Sequence, residues 1–176
     1  MFNGLKIKLR RVKYYKYFKS WDIKIGKNFI MKGGRGKNKI GKNFCIADNC
    51  VFEAFEPTGV FTVGDYCYLA YGVICSVKQK ISIGNHVWIG EYTSLRDTTH
   101  THSIHATLGS LPDKGSTIII GNNVWIGRGC MILEGTEIRD NVIVGANSVV
   151  KGKLEANSLY AGTPAKLIKK LVDWIY

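Results

Sequence analysis

Three of the four histidines, His100, His102 and His105, fall within six residues, inside the segment RDTTHTHSIHATLGSLPDKGST at 96–117. Imidazole gains and loses a proton near neutral pH and is also the commonest metal ligand, so the cluster points to acid–base or to metal chemistry. Asp97 stands three residues before His100, where a carboxylate could orient the ring, contact an acceptor or form a turn. The five cysteines are odd in number and lack CxxC spacing, which argues against a disulfide framework or a zinc cluster. Gly36 to Lys42 fits G-x-x-x-x-G-K, but Asn43 stands where a phosphate-binding loop carries Ser or Thr and no helical pattern follows.

These residues are set in a repeat. Ile120, Ile126, Ile132, Ile138, Val144 and Val150 recur every six residues, with small or branched residues such as Val124, Cys130, Thr136 and Ser148 four places into the units. A hexapeptide register is the signature of a parallel β-helix, in which each unit buries its apolar residue only by stacking on its neighbours. Worn copies begin at Ile25 and Ile40 and continue at Val63, Ile83 and Ile89. Cys50, Cys67 and Cys130 occupy the interior phase, and Cys75 stands at an opener; free cysteine packs there as a small hydrophobe. The register breaks after Leu95, and a long loop inside a compact array is usually functional or disordered; the clustered histidines favour the functional reading. The expected organisation is a basic segment at 1–24, a β-helix at 25–161 with an excursion at about 96–117, and a capping helix at 162–176. That helix is inferred from Leu167, Ile168, Leu171, Val172 and Ile175 at helical spacing.

The chain has 176 residues, 45% of them hydrophobic, and a net charge of +12. It holds no apolar run long enough to span a bilayer and no signal-peptide pattern, so a cytoplasmic protein is expected. The positive charge favours anionic partners. The Arg-aromatic modules of nucleic-acid binders are absent, which leaves phosphate-bearing ligands and, for the basic N-terminus, the inner face of a membrane.

Ile83-Gly-Asn-His-Val-Trp-Ile-Gly90, the histidine loop, Ile120-Gly-Asn-Asn-Val-Trp-Ile-Gly127, Val144-Gly-Ala-Asn-Ser-Val149 and Ala161-Gly-Thr-Pro-Ala-Lys166 together resemble the hexapeptide-repeat acyltransferases. The branch most like it holds galactoside and maltose acetyltransferases and bacterial polysaccharide O-acetyltransferases. The resemblance covers roughly residues 60–170. It implies an all-β fold, a left-handed parallel β-helix with an excursion loop and a short C-terminal helix, although parallel crossovers in general are right-handed.

The resemblance further implies an acetyl-CoA-dependent O-acetyltransferase acting on a saccharide hydroxyl in surface-polysaccharide synthesis, with a free or lipid-linked saccharide as acceptor. It assigns His100 as the general base, and no metal is expected. Trp125, Arg128, Ala146, Lys151, Lys166 and Lys169 match the family's CoA contacts, in a groove between subunits of a homotrimer. Asp97, His102 and Tyr71 are candidates for acceptor contacts. Galactoside acetyltransferases carry an acceptor-binding Asn near positions 70 and 71, where this chain has Ala70 and Tyr71, so the acceptor stays open. The alternatives are N-acetylation of an amino sugar or antibiotic and, on the same fold, a γ-carbonic anhydrase-like metalloenzyme, since His100 and His105 resemble its paired-histidine spacing.

Overall fold

Most strands here are only two to four residues long. Such strands cannot stand alone, so each must pair with its counterpart one coil away. The computed structural model describes residues 2–33, 38–55 and 59–172. Most of its strands form three parallel sheets of one left-handed β-helix of about six turns.

The first face stacks Ile23–Ile25, Phe44–Ile46, Tyr68–Leu69, Trp88–Ile89, Trp125–Ile126, Val142–Val144 and Ser158–Gly162. The second stacks Ile30–Lys32, Val51–Ala54, Ile74–Val77, Ser94–Arg96, Met131–Ile132 and Val149–Val150, and the third runs from Lys39–Ile40 to Lys153–Leu154. Inward residues meet in register. On the first face Ile25, Ile46, Leu69, Ile89, Ile126 and Val144 form one column, each no more than 2% exposed. The outward column of the same face is Lys24, Cys45, Tyr68, Trp88, Trp125, Ile143 and Leu159.

Corners join the faces. Asn28, Asn43, Asn49, Asn123, Asn141, Asn147 and Asn157 hold φ between 52° and 60° there, a left-handed conformation that asparagine tolerates better than most residues. Asn123 Nδ2 donates to Asn141 Oδ1, and Asn141 Nδ2 to Asn157 Oδ1, each at 2.8 Å. Gly127 is required by close approach, because a Cβ there would lie 2.6 Å from the Ala146 nitrogen.

The N-terminal segment, which periodicity leaves open between helix and strand, is a helix over Phe2–Phe18. Tyr14 and Phe18 are buried against the first coils, with the Phe18 ring 6.1 Å from Phe29 and 6.3 Å from Phe52. The helix thus covers the apolar end of the solenoid. Among the described residues, no helix is long and apolar enough to cross a membrane.

The C-terminal segment corrects the expected capping helix. Ala165–Lys170 is a strand, antiparallel to Ser158–Gly162 and reached through Gly162 at φ 106°. The reason is the edge of the first face: Ser158–Gly162 would otherwise leave a row of N–H and C=O groups unpaired, and a returning strand satisfies them. Leu167 and Ile168, whose spacing suggested a buried helical stripe, are 49% and 58% exposed. Residues 173–176, including Ile175, lie outside the described residues.

Truncating the inward column tests the stacking. Ile89→Ala is expected to cost about 2–5 kcal/mol in chemical denaturation, whereas Ile119→Ala, 48% exposed on the third face, changes stability by less than about 0.5 kcal/mol.

Candidate functional site

The histidine loop leaves the solenoid at the corner between the second and third faces, after Arg96, and returns at Ile118. Its base is a two-stranded antiparallel ribbon in which Thr98 pairs with Gly115 and Thr99 with Lys114. The next cross-strand pair outward is therefore His100 and Asp113, and there Nδ1 of His100 lies 2.7 Å from Asp113 Oδ1. One step further, Thr101 Oγ1 donates to Pro112 O at 2.6 Å. A carboxylate has no proton to give, so Nδ1 is the donor, and in the neutral ring the lone pair is then on Nε2. The pair is open, with the two side chains 68% and 38% exposed.

Asp97 is placed otherwise than expected. Its carboxylate is fully buried and accepts the backbone N–H groups of Lys78, Gln79 and Lys80 at 2.6, 2.8 and 2.7 Å. Those bonds tie the root of the loop to the corner of the preceding coil, so the residue neither orients His100 nor faces an acceptor. The carboxylate that contacts His100 is Asp113, which spacing from His100 along the chain does not suggest. Its signal is symmetry about the loop, with an acid one step before the returning arm opposite a histidine one step after the leaving arm.

His102 and His105 are exposed in the loop. His86 occupies a corner at φ 56° and stacks on Tyr66 with ring centroids 5.1 Å apart. Among the described residues no group of three or more His, Cys, Asp or Glu side chains is placed to hold a metal ion. The cysteines are free. Burial pushes the Cys50 thiol up to about 11 and those of Cys67, Cys75 and Cys130 upward, which keeps them from the thiolate form that a nucleophile needs.

A cleft of about 440 Å³ lies on the first face, between the outward residues Tyr68, Trp88 and Trp125 and the corner residues Glu91, Arg128 and Ala146. It gathers Trp125, Arg128 and Ala146 of the six residues assigned to CoA. The C-terminal hairpin extends its edge: Leu159 continues the Trp125 column and pairs with Lys169, while Ala161, stacked on Gly145, pairs with Lys166. Paired residues share a face, so both lysines stand on the outward side at the end of the cleft. Lys151 is elsewhere. It lies on the corner between the second and third faces, the edge that carries His100, and contacts Glu134 at 2.6 Å. The Lys151 ammonium beside it holds the Glu134 carboxyl below the usual carboxylate range. Tyr71 stands on the corner between the first and second faces, its ring 5.4 Å from that of Tyr92. His100 and the cleft therefore occupy different edges of the prism.

The two carboxylates separate by experiment. Asp97→Ala strands three backbone donors and is expected to cost about 3 kcal/mol or more in urea denaturation; Asp113→Ala, at an open site, shifts the same midpoint by less than about 0.5 kcal/mol.

A family model described as bacterial transferase hexapeptide (six repeats) matches residues 117–152. The "Putative lipopolysaccharide biosynthesis O-acetyl transferase WbbJ" of Escherichia coli K12 is 32% identical over 148 residues, covering 77% of this chain and 72% of its own length. The "Putative colanic acid biosynthesis acetyltransferase WcaF" of the same organism is 32% identical over 136 residues, covering 77% and 70%. A variant of AntD, an N-acyltransferase from Bacillus cereus, solved in complex with dTDP and coenzyme A, is 26% identical with a TM-score of 0.72, covering 84% of this chain and 83% of that one.

Proposed function

The chain belongs to the hexapeptide-repeat transferases, and on that premise we propose that it carries the acetyl group of acetyl-CoA to a saccharide hydroxyl in building a bacterial surface polysaccharide. The observation that carries the chemistry is the His100–Asp113 contact of 2.7 Å. Asp113 holds the Nδ1 proton and aims the ring. Nε2 then takes the proton of the acceptor hydroxyl as its oxygen attacks the thioester carbonyl. The tetrahedral oxyanion collapses, the C–S bond breaks, and the thiolate of CoA takes the proton back from Nε2. The products are the acetyl ester and free CoA.

Trp125, Arg128, Ala146, Lys166 and Lys169 form the donor wall in this reading, the lysines meeting the phosphates of CoA as charge-assisted partners. His100 lies on another edge of the same subunit, roughly one face width away, or about 15 Å at the usual rise per strand residue. A cyclic trimer resolves this, because a heterologous interface sets one edge of a subunit against a different face of the next. His100 and Lys151 of one subunit then complete the cleft of its neighbour. Tyr71 and His102 remain candidates for acceptor contacts. A CoA donor places the reaction in the cytoplasm. The outward face of the N-terminal helix presents Leu9 and Val12, each 61% exposed, between Lys6, Lys8, Lys13 and Lys16, a pattern suited to the inner membrane surface.

His100→Ala is expected to lower kcat at least about a hundredfold, the scale of a general base, with acetyl-CoA affinity in calorimetry unchanged; undiminished turnover would remove the assignment. An unprotonated amine acceptor needs less help from a base, so a loss below about tenfold points to N-acetylation instead. Coexpressing His100→Ala with Arg128→Ala tests the shared site. Random mixing restores roughly a quarter of the sites in a trimer with intersubunit sites, and no recovery would place base and cleft in one subunit.

A further inference from the structure

The first face carries a second cleft, of about 550 Å³, that meets the donor cleft at Tyr68. Its walls include Arg10 of the N-terminal helix, Lys24 and Lys27 of the first coil, Asp48 of the second and Tyr71 of the third. Three cations therefore face one carboxylate, and that carboxylate is partly committed, since Asp48 Oδ1 accepts the backbone N–H of Lys27 at 2.6 Å.

The two neighbouring arginines of the helix differ in a way that singles out this cleft. Arg11 Nε donates to Ile23 O at 2.7 Å and fastens the helix to the first strand. Arg10 Nε is buried with no hydrogen-bond partner among the described residues. An unmatched buried donor is costly, the more so on a charged group, and it leaves this guanidinium, which lines the cleft, uncommitted at Nε to the protein. A guanidinium fork with two ammonium groups suits adjacent phosphoryl groups. Tyr68 and Tyr71, 38% and 42% exposed, offer ring faces to whatever the phosphates carry.

Resting on the acetyltransferase reading above, we propose that this cleft binds the diphosphate of the acceptor, so that the saccharide is acetylated while joined to a diphosphate carrier. The carrier is a nucleoside or a polyprenyl chain, which share that chemistry. Arg10, Lys24 and Lys27 hold the diphosphate, and the attached sugar lies toward Tyr68, where the second cleft opens into the donor cleft.

The test begins without catalysis. Inorganic pyrophosphate is titrated calorimetrically into the full chain saturated with coenzyme A, which occupies the donor phosphate site. Binding is expected, and it weakens at least about tenfold in Lys24→Gln/Lys27→Gln and in Arg10→Gln, while coenzyme A affinity holds. Both lysines are exposed, so the double variant keeps its fold even if Arg10→Gln does not. Absent binding, or binding equal in the double variant, overturns the proposal. Acetyl transfer is then compared for one saccharide in three forms: free, on a nucleoside diphosphate and on a polyprenyl diphosphate. One carrier is expected to raise kcat/KM at least about tenfold, with the gain lost through KM in the variants; the preferred carrier identifies the source. Equal use of the free sugar overturns the proposal. Should acetyl-CoA itself fail to bind, the acetyltransferase reading falls while the pyrophosphate result still stands, so the two failures are told apart.

Discussion

Each corner must turn the chain from one face to the next within about three residues while its backbone still pairs with the corners of adjacent coils, and the rest of the structure depends on that constraint. Along the edge between the first and second faces the solution is an unbroken ladder. Asn49 donates to Lys27 O, Gly72 to Asp48 O, Tyr92 to Tyr71 O, Gly129 to Glu91 O and Asn147 to Arg128 O, all between 2.8 and 3.1 Å. The ladder fixes where the outward residue at the middle of each corner projects. Lys27, Asp48, Tyr71, Glu91, Arg128 and Ala146 thus form a row at one strand spacing, about 4.8 Å. The first three line the second cleft and the last three the cleft at Trp125. Because the backbone is specified by hydrogen bonds that ignore side-chain identity, this row is free to vary, and ligand chemistry can be written into it without disturbing the fold.

Among the described residues, three corners depart from the rule that asparagine or glycine takes the left-handed position. Tyr66, His86 and Tyr92 hold φ between 56° and 58°, which for a bulky side chain costs of order 1–2 kcal/mol. Ring contacts offset the cost. Tyr66 and His86 stack on each other, and Tyr92 meets the edge of Tyr71 at 5.4 Å. Gly72 completes the second arrangement, since a Cβ there would lie 2.8 Å from the Tyr92 ring. These aromatic corners flank the strands that bear Tyr68 and Trp88, and so stiffen the part of the first face where the two clefts join. The His100 loop is stiffened by a different device, the buried carboxylate of Asp97. In the proposed reaction a base on a long excursion serves only if its root does not move, because reach and orientation of the imidazole are set there.

How much of this was legible in the sequence follows from what kind of interaction decided each feature. The coils were legible because inward residues recur every six positions and a buried column tolerates only apolar side chains: Ile120 through Val150 are buried as that period requires. The excursion was legible as the place where the period stops. Asp113 was not, since its pairing with His100 depends on the antiparallel ribbon and not on spacing along the chain. Asp97 misled for the opposite reason: proximity to His100 suggested a role that the three amides of residues 78–80 had already claimed. At the C-terminus, helical spacing of Leu167, Ile168 and Leu171 competed with the unpaired edge of Ser158–Gly162, and pairing of the backbone won over local pattern.

The same distinction explains why the donor side of the site is easier to read than the acceptor side. Trp125, Arg128 and Ala146 belong to the regular coils, so a repeat recognised in the sequence carries them along in known phase. The second cleft takes Arg10 from a helix outside the repeat and sets it against Lys24 and Lys27 of the first coil, where the register is most worn. No period links residue 10 to residues 24 and 27. Their convergence arises only because Tyr14 and Phe18 bury the helix on the open end of the solenoid and Arg11 fastens it to Ile23. The helix that closes the core therefore also supplies one wall of the groove. A change in how it docks would alter what the second cleft admits while leaving the cleft at Trp125, and the stacked coils beneath it, as they are.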